Sequence, residues 1–260
     1  MLLACLGIWG MNACTQLPKD QPKNHVLTVA IASSLSDVMT EVKTKFNEQY
    51  PDIKIQFNQA ASGVLAQQIN QQAPIDVFAS ADVETIQKLV DQQKIQAEKV
   101  HIFAQNQLVL AQLKDSEIEI QSLEDLTHSA IRKVAMGNPK TVPAGKYAQN
   151  ALQNINGKNL YQQLIDRQKI VFAENVRQIL TYLENREVEA GFIYQTDLNQ
   201  APELKSIFVL DTKLTGEILY AIAPIMSSPN QGDAQSLIDF ILSDQGETIL
   251  QKYGFLTARD

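Results

Sequence analysis

The sequence predicts an α/β protein of two lobes, with mostly parallel sheets and two crossover connections between the lobes. Three observations carry this. Apolar strand-like runs alternate with amphipathic helical segments through the first hundred residues. The texture changes near His101, and a strand with closing helices returns after Gly216. The length, 260 residues, suits two units of ~100–150 residues each.

Val26 to Ala32 (VLTVAIA) is a nearly unbroken apolar run, which marks a strand buried on both faces. Leu35, Val38, Met39, Val42 and Phe46 then recur at helical spacing, placing one apolar stripe on a helix. Tyr50-Pro51 ends it, because the residue before proline is pushed out of helical backbone. Ile53 to Phe57 alternates as a strand. Val64, Leu65 and Ile69 give a short helix that stops near Pro74, Asp76 to Ala79 is a strand, and Ile86, Leu89 and Val90 mark the next helix. This order predicts a mostly parallel sheet with right-handed crossovers. Beyond His101, strands are expected at Leu108–Leu113, Lys133–Met136, Ile170-Val171 and Ala190–Tyr194. Helices are expected around Tyr147–Leu152 and Val176–Leu183. The strand Ile218–Ile222 and helices around Leu237–Ile241 and Ile249–Tyr253 close the chain. The expected division is a leader and tether over 1–25, one lobe over 26–105 with 211–260, and the other over 106–210.

Composition narrows the function. Hydrophobic residues are 45% of the chain, enough to bury a core and to exclude disorder. The net charge of −7 argues against nucleic acid as a partner. Both cysteines, Cys5 and Cys14, and the one tryptophan, Trp9, fall in the first seventeen residues. A disulfide framework or a cysteine-based zinc site is therefore not expected in the body. Met1 to Leu17 carries no charge. It is shorter than the ~20 apolar residues of a spanning helix and has the length of an export signal ending at a small-residue cleavage site. Ala13-Cys14 is such a site, where Cys14 resembles the lipid-modified cysteine of a bacterial lipoprotein; Leu3-Ala4-Cys5 is a poorer candidate. The alternative is an ordinary cleaved signal. Pro18 to Asn24 reads as a polar tether. Periplasmic export follows, with membrane association only through a lipid on Cys14.

No catalytic candidate emerges. The chain lacks G-x-S-x-G, the phosphate-binding G-x-x-x-x-G-K and G-x-G-x-x-G. His25, His101 and His128 lie far apart, which is not a metal-ligand spacing, and Glu117/Glu119 and Glu184/Glu187 read as solvated faces. A different pattern recurs four times: small or neutral residues lead into a helix. The segments are Ala32-Ser33-Ser34, Ala60-Ala61-Ser62-Gly63, Val142-Pro143-Ala144-Gly145 and Glu174-Asn175-Val176. A helix start presents unpaired N–H groups and a partial positive charge, the chemistry of an anion site. Taken singly, each segment reads first as a plain helix cap, Ser and Asn being preferred caps.

The stretches AIASSLSDVM, AASGVLAQQI, the AP-D-F-SAD pattern over Ala73 to Asp82, GNPKTVPAGKYAQNAL, ENVRQIL, GFIYQTD and the closing DQGETILQKYGF strongly resemble the periplasmic molybdate-binding proteins of ABC importers. The resemblance runs from about Val26 to Phe255 in family order. It implies a two-lobe periplasmic-binding-protein-like fold and a binding protein that captures molybdate, and tungstate with it, for a membrane permease. It also implies that the oxyanion is held by hydrogen bonds from Ser34, Ser62, Tyr194 and the backbone amides of Ala144 and Val176, with no direct ligation of the metal. No cofactor and no catalysis are implied, and a monomer is expected. Asp37, one turn into the first helix, is expected to face solvent. The alternatives are a binding protein for another tetrahedral oxyanion such as sulfate, or an exported serine hydrolase acting through Ser62.

Overall fold

The computed structural model describes residues 25–153, 155 and 157–258; the leader, with Cys5, Trp9 and Cys14, lies outside them. Two five-stranded sheets with flanking helices make up the molecule. The first begins with β1 (His25–Ala32), whose apolar run pairs in parallel with β2 (Ile53–Ala60) on one side and β3 (Val77–Ser80) on the other. Helix α1 (Ser36–Gln49) links β1 to β2 and buries the predicted stripe of Val38, Met39, Val42 and Phe46. Helix α2 (Ser62–Asn70) leads toward β3, and α3 (Val83–Asp91) follows it. Asp82 starts α3 by accepting the Thr85 N–H at 3.0 Å, the usual capping geometry.

The chain then runs through β4 (His101–Asn106) in the first sheet and, after Gln107 alone, into β5 (Leu108–Leu113) in the second. The second sheet is completed by β6 (Val134–Gly137), β7 (Ile170–Ala173), β8 (Ala190–Tyr194) and β9 (Leu204–Val209). Helices α4 (Pro143–Gln153) and α5 (Leu160–Asp166) lie between β6 and β7, α6 (Val176–Glu184) between β7 and β8, and α7 (Gln195–Asn199) after β8. After α8 (Thr212–Thr215) the chain returns to the first sheet as β10 (Ile218–Pro224), then closes with α9 (Gln231–Leu242) and α10 (Asp244–Lys252).

The two sheets share one connectivity, β2-β1-β3-β10-β4 and β7-β6-β8-β5-β9. In each, three strands are parallel and the strand contributed across the crossover is antiparallel to both its neighbours. Four of the five strands in each sheet therefore run the same way, as expected, with one crossing strand against them. The crossing strands are β10 and β5; β4 and β9, partly exposed outer strands whose weak apolar alternation hides them in the sequence, pair antiparallel with them. The parallel trio of each sheet sends its helices off the carboxyl ends, and these ends face one another.

Candidate functional site

Five residues expected at an anion site come from five places on these carboxyl ends. Ser34 sits in the 3-10 turn Ser33–Leu35 directly after β1. Ser62 opens α2, Ala144 lies in the first turn of α4, Val176 opens α6, and Tyr194 ends β8. All five are buried and line one small cavity of about 10 Å3. Ala32, Ala61, Ala81, Val142 and Pro143 supply much of the remaining wall, and no charged side chain lines it. In open α/β sheets, ligands bind beyond the carboxyl ends of the strands, and this cavity lies there for both sheets at once.

The hydrogen bonds show which of these residues act as helix caps. Neither serine caps its helix: the residue preceding α2 is Ala61, with no side-chain cap. Ser62 Oγ instead accepts the Ala81 N–H at 3.0 Å, leaving its own proton to donate. Ser34 Oγ lies 2.9 Å from Tyr220 Oη. Asn175 does cap α6, accepting the Gln178 N–H at 3.1 Å. The Ala144 and Val176 amides belong to first turns, where no intrahelical acceptor exists. The Tyr194 hydroxyl is fully buried and has no protein partner. Burial raises its pKa well above the ordinary phenol value, as it does for Tyr220, so both remain O–H donors. The serine-hydrolase alternative fails on the same geometry, since no His, Asp or Glu lines the cavity to act as a base. A wider cleft elsewhere contains the buried Asp76, but that carboxylate already accepts from Thr28 N, Ser228 Oγ and Asn230 Nδ2.

The two halves touch around the cavity. Gly63 N–H donates to Thr141 O at 3.0 Å, an approach so close that a Cβ on Gly63 would meet Thr141 backbone at 2.8 Å. Lys146 pairs with Glu84. Arg177 Nη2 donates to Asp37 Oδ2 at 2.6 Å. Asp37 is therefore half-exposed and paired across the cleft, not simply facing solvent; the partner comes from a segment 140 residues away, which local helix reasoning does not reach. Arg177 Nε also lies 3.2 Å from Asp197 Oδ1. Asp197 is completely buried; desolvation pushes its pKa up to about 7, against the opposing pull of the Arg177 charge. One guanidinium thus joins the segments carrying Ser34, Val176 and Tyr194. Sequence reasoning missed Arg177, Tyr220 and Asn106. The only trace of Tyr220 is a hydroxyl placed inside an apolar strand.

A neutral, donor-lined cavity between two similar α/β halves, without catalytic groups, is that of a solute-binding protein. Residues 27–256 match the family of bacterial extracellular solute-binding proteins, and the chain belongs to that family, whose members bind solutes rather than act as enzymes. The chain is 30% identical over 254 residues to the putative ABC transporter substrate-binding lipoprotein YvgL of Bacillus subtilis, covering 98% of this chain and 95% of that one. It is 27% identical to the molybdate-binding protein ModA of Haemophilus influenzae, covering 88% and 89% of the two chains. Among solved structures, the substrate-binding domain of a putative molybdenum ABC transporter from Clostridium difficile superposes with a TM-score of 0.68 at 31% identity, covering 90% of this chain and 99% of that one.

Proposed function

We propose that this protein captures molybdate, and tungstate as its near equivalent, between its two halves and delivers it to the membrane permease of an ABC importer. The lobes are taken as 26–105 with 211–260, and 106–210, a division supported by the sheet to which each strand belongs. The O–H groups of Ser34, Ser62 and Tyr194 and the N–H groups of Ala144 and Val176 serve as ligands. The observation that carries the reading is the Tyr194 hydroxyl, buried without a partner at a cavity that the other four residues also line. Names carried by relatives, molybdate-binding protein and ABC substrate-binding lipoprotein, support it.

Neutral donors suffice for a dianion. A hydrogen bond to a charged group contributes about 1.5–3 kcal/mol, so five of them cover the ~8 kcal/mol of micromolar binding after ordering costs. Without a countercharge the anion is also free to leave at the permease. A fully deprotonated oxyanion offers acceptors only, whereas hydrogen phosphate carries a proton that a donor-only wall leaves unpaired. The mature protein is proposed to act as a monomer outside the cytoplasm, held to the membrane by a lipid on Cys14 when that cysteine is processed as in a lipoprotein.

A thermal-shift panel of molybdate, tungstate, sulfate and phosphate tests the reading. Molybdate and tungstate should raise the Tm and phosphate should not. A shift with sulfate alone would reassign the solute, and no shift with any of the four would end the proposal.

A further inference from the structure

Ser34 is held by a chain of side chains that reaches the first crossover between the halves. Asn106 is the last residue of β4, where the polypeptide leaves the first sheet. Its Oδ1 accepts the Gln107 N–H at 2.8 Å, which fixes the orientation of the amide. The NH2 end therefore faces Thr196 Oγ1 at 2.9 Å and Tyr220 Oη at 3.3 Å. An amide NH2 donates and does not accept, so Tyr220 Oη is the acceptor in that contact. Tyr220 is fully buried, and its own proton has Ser34 Oγ, 2.9 Å away, as its acceptor. Were Ser34 to donate to Tyr220 instead, the phenol proton would be buried unpaired, with the full desolvation penalty. Donation from Tyr220 leaves the Ser34 proton to point elsewhere, and Ser34 lines the cavity.

We propose that Asn106 and Tyr220 are positioning residues that set the direction of the Ser34 hydroxyl, so that it presents its proton rather than a lone pair to the bound oxyanion. This rests on the oxyanion reading above and assigns part of its selectivity to residues that do not line the cavity. With the Tyr220 hydroxyl removed, the Ser34 hydroxyl can rotate and meet a ligand as donor or as acceptor. A wall of donors then gains an acceptor, and a protonated oxyanion loses its disadvantage.

The test is a double-mutant cycle on the full chain, read by calorimetry with molybdate and with inorganic phosphate near neutral pH. Tyr220→Phe removes one hydroxyl and keeps the ring. It should weaken molybdate binding about 10-fold and narrow the molybdate-to-phosphate ratio by a similar factor. In a Ser34→Ala background the same change should alter molybdate affinity less than about 2-fold, because the residue it orients is gone. Asn106→Asp replaces the donor with an acceptor. Tyr220 would then give its proton to the carboxylate, Ser34 would give its proton to Tyr220, and a lone pair would face the cavity. The added negative charge repels both anions, so the ratio between them is the readout, and it should fall further than in Tyr220→Phe. Equal losses from Tyr220→Phe in wild-type and Ser34→Ala backgrounds, or an unchanged ratio in both Tyr220→Phe and Asn106→Asp, would overturn the proposal. Failure of the wild type to bind molybdate would instead remove the oxyanion reading beneath it.

Discussion

Tyr194 carries a hydroxyl that the fold buries and leaves unpaired, an arrangement costing about 1–3 kcal/mol unless a ligand repays it. Tyr194→Phe should therefore spare the fold while weakening molybdate about 10–150-fold, the equivalent of ~1.5–3 kcal/mol. Ser62→Ala should do the same, its remaining bond being only the Ala81 N–H. Calorimetry giving unchanged affinity in both variants would remove them from the site. Asp197 acts on stability instead. Its carboxyl, ordinarily near 3.8, is raised by burial to about 7 in the fold. Between these values the folded chain keeps a proton the unfolded chain has lost. The stability this proton confers is complete below about pH 4 and is lost as pH rises through about 7, on the order of 4 kcal/mol. Asp197→Asn should flatten that loss, so the variant gains Tm over wild type between about pH 5 and pH 8; parallel melting profiles would contradict it. The five residues proposed as ligands were legible only because family motifs mark them, since each is an ordinary Ser, Ala, Val or Tyr. Asp197 and Asn106 carry no such mark: their roles come from partners roughly twenty to over a hundred positions away in the chain.

Helix α4 approaches β6 more closely than a side chain permits. A Cβ on Gly145 would lie 2.0 Å from Gly137 O and 2.4 Å from Gly137 C. Both are backbone atoms, so the helix itself must move. Gly145→Ala should destabilise by at least ~1–3 kcal/mol, the scale of overpacking, and displace the neighbouring Ala144 amide, weakening molybdate as well. Gly232→Ala, on α9 with nothing near its Cβ, should be neutral or gain up to ~1 kcal/mol from helix propensity. Chemical denaturation of the two variants checks the contrast, and equal stabilities would refute the close-packing argument. Most regular elements were legible because burial writes its period into the chain: β1, β3 and β8 are apolar runs, and α1 and α6 carry stripes. The outer strands β4 and β9 were not. One face of each meets solvent, with Ile102 and Val209 exposed, and their pairing comes from strands distant in sequence.

The surface contacts across the cleft are weak when taken alone. The pairs Lys146–Glu84 and Arg177–Asp37 are partly exposed on both sides, and such ion pairs contribute about 0–1 kcal/mol. The Gly63–Thr141 hydrogen bond adds about as much. Against these stands the burial of a donor-lined cavity whose Tyr194 hydroxyl has no partner. Under the proposed reading an anion bonded from both halves tips that balance, because its hydrogen bonds exist in full only when the cleft is shut. The chain passes between the halves at Gln107, between β4 and β5, and over 210–217, between β9 and β10, and a hinge closure would turn on these two segments. Saturating molybdate should therefore shrink the radius of gyration in small-angle scattering. It should also add stability as RT ln(1 + [L]/Kd), ~4 kcal/mol at a thousandfold excess over Kd. High salt should screen the two surface pairs and leave the liganded profile compact, since the bonds that close the cleft are to a buried anion. Superimposable scattering with and without molybdate, under conditions where calorimetry shows the site filled, would mean that the halves are already locked and that the ligand enters without a hinge.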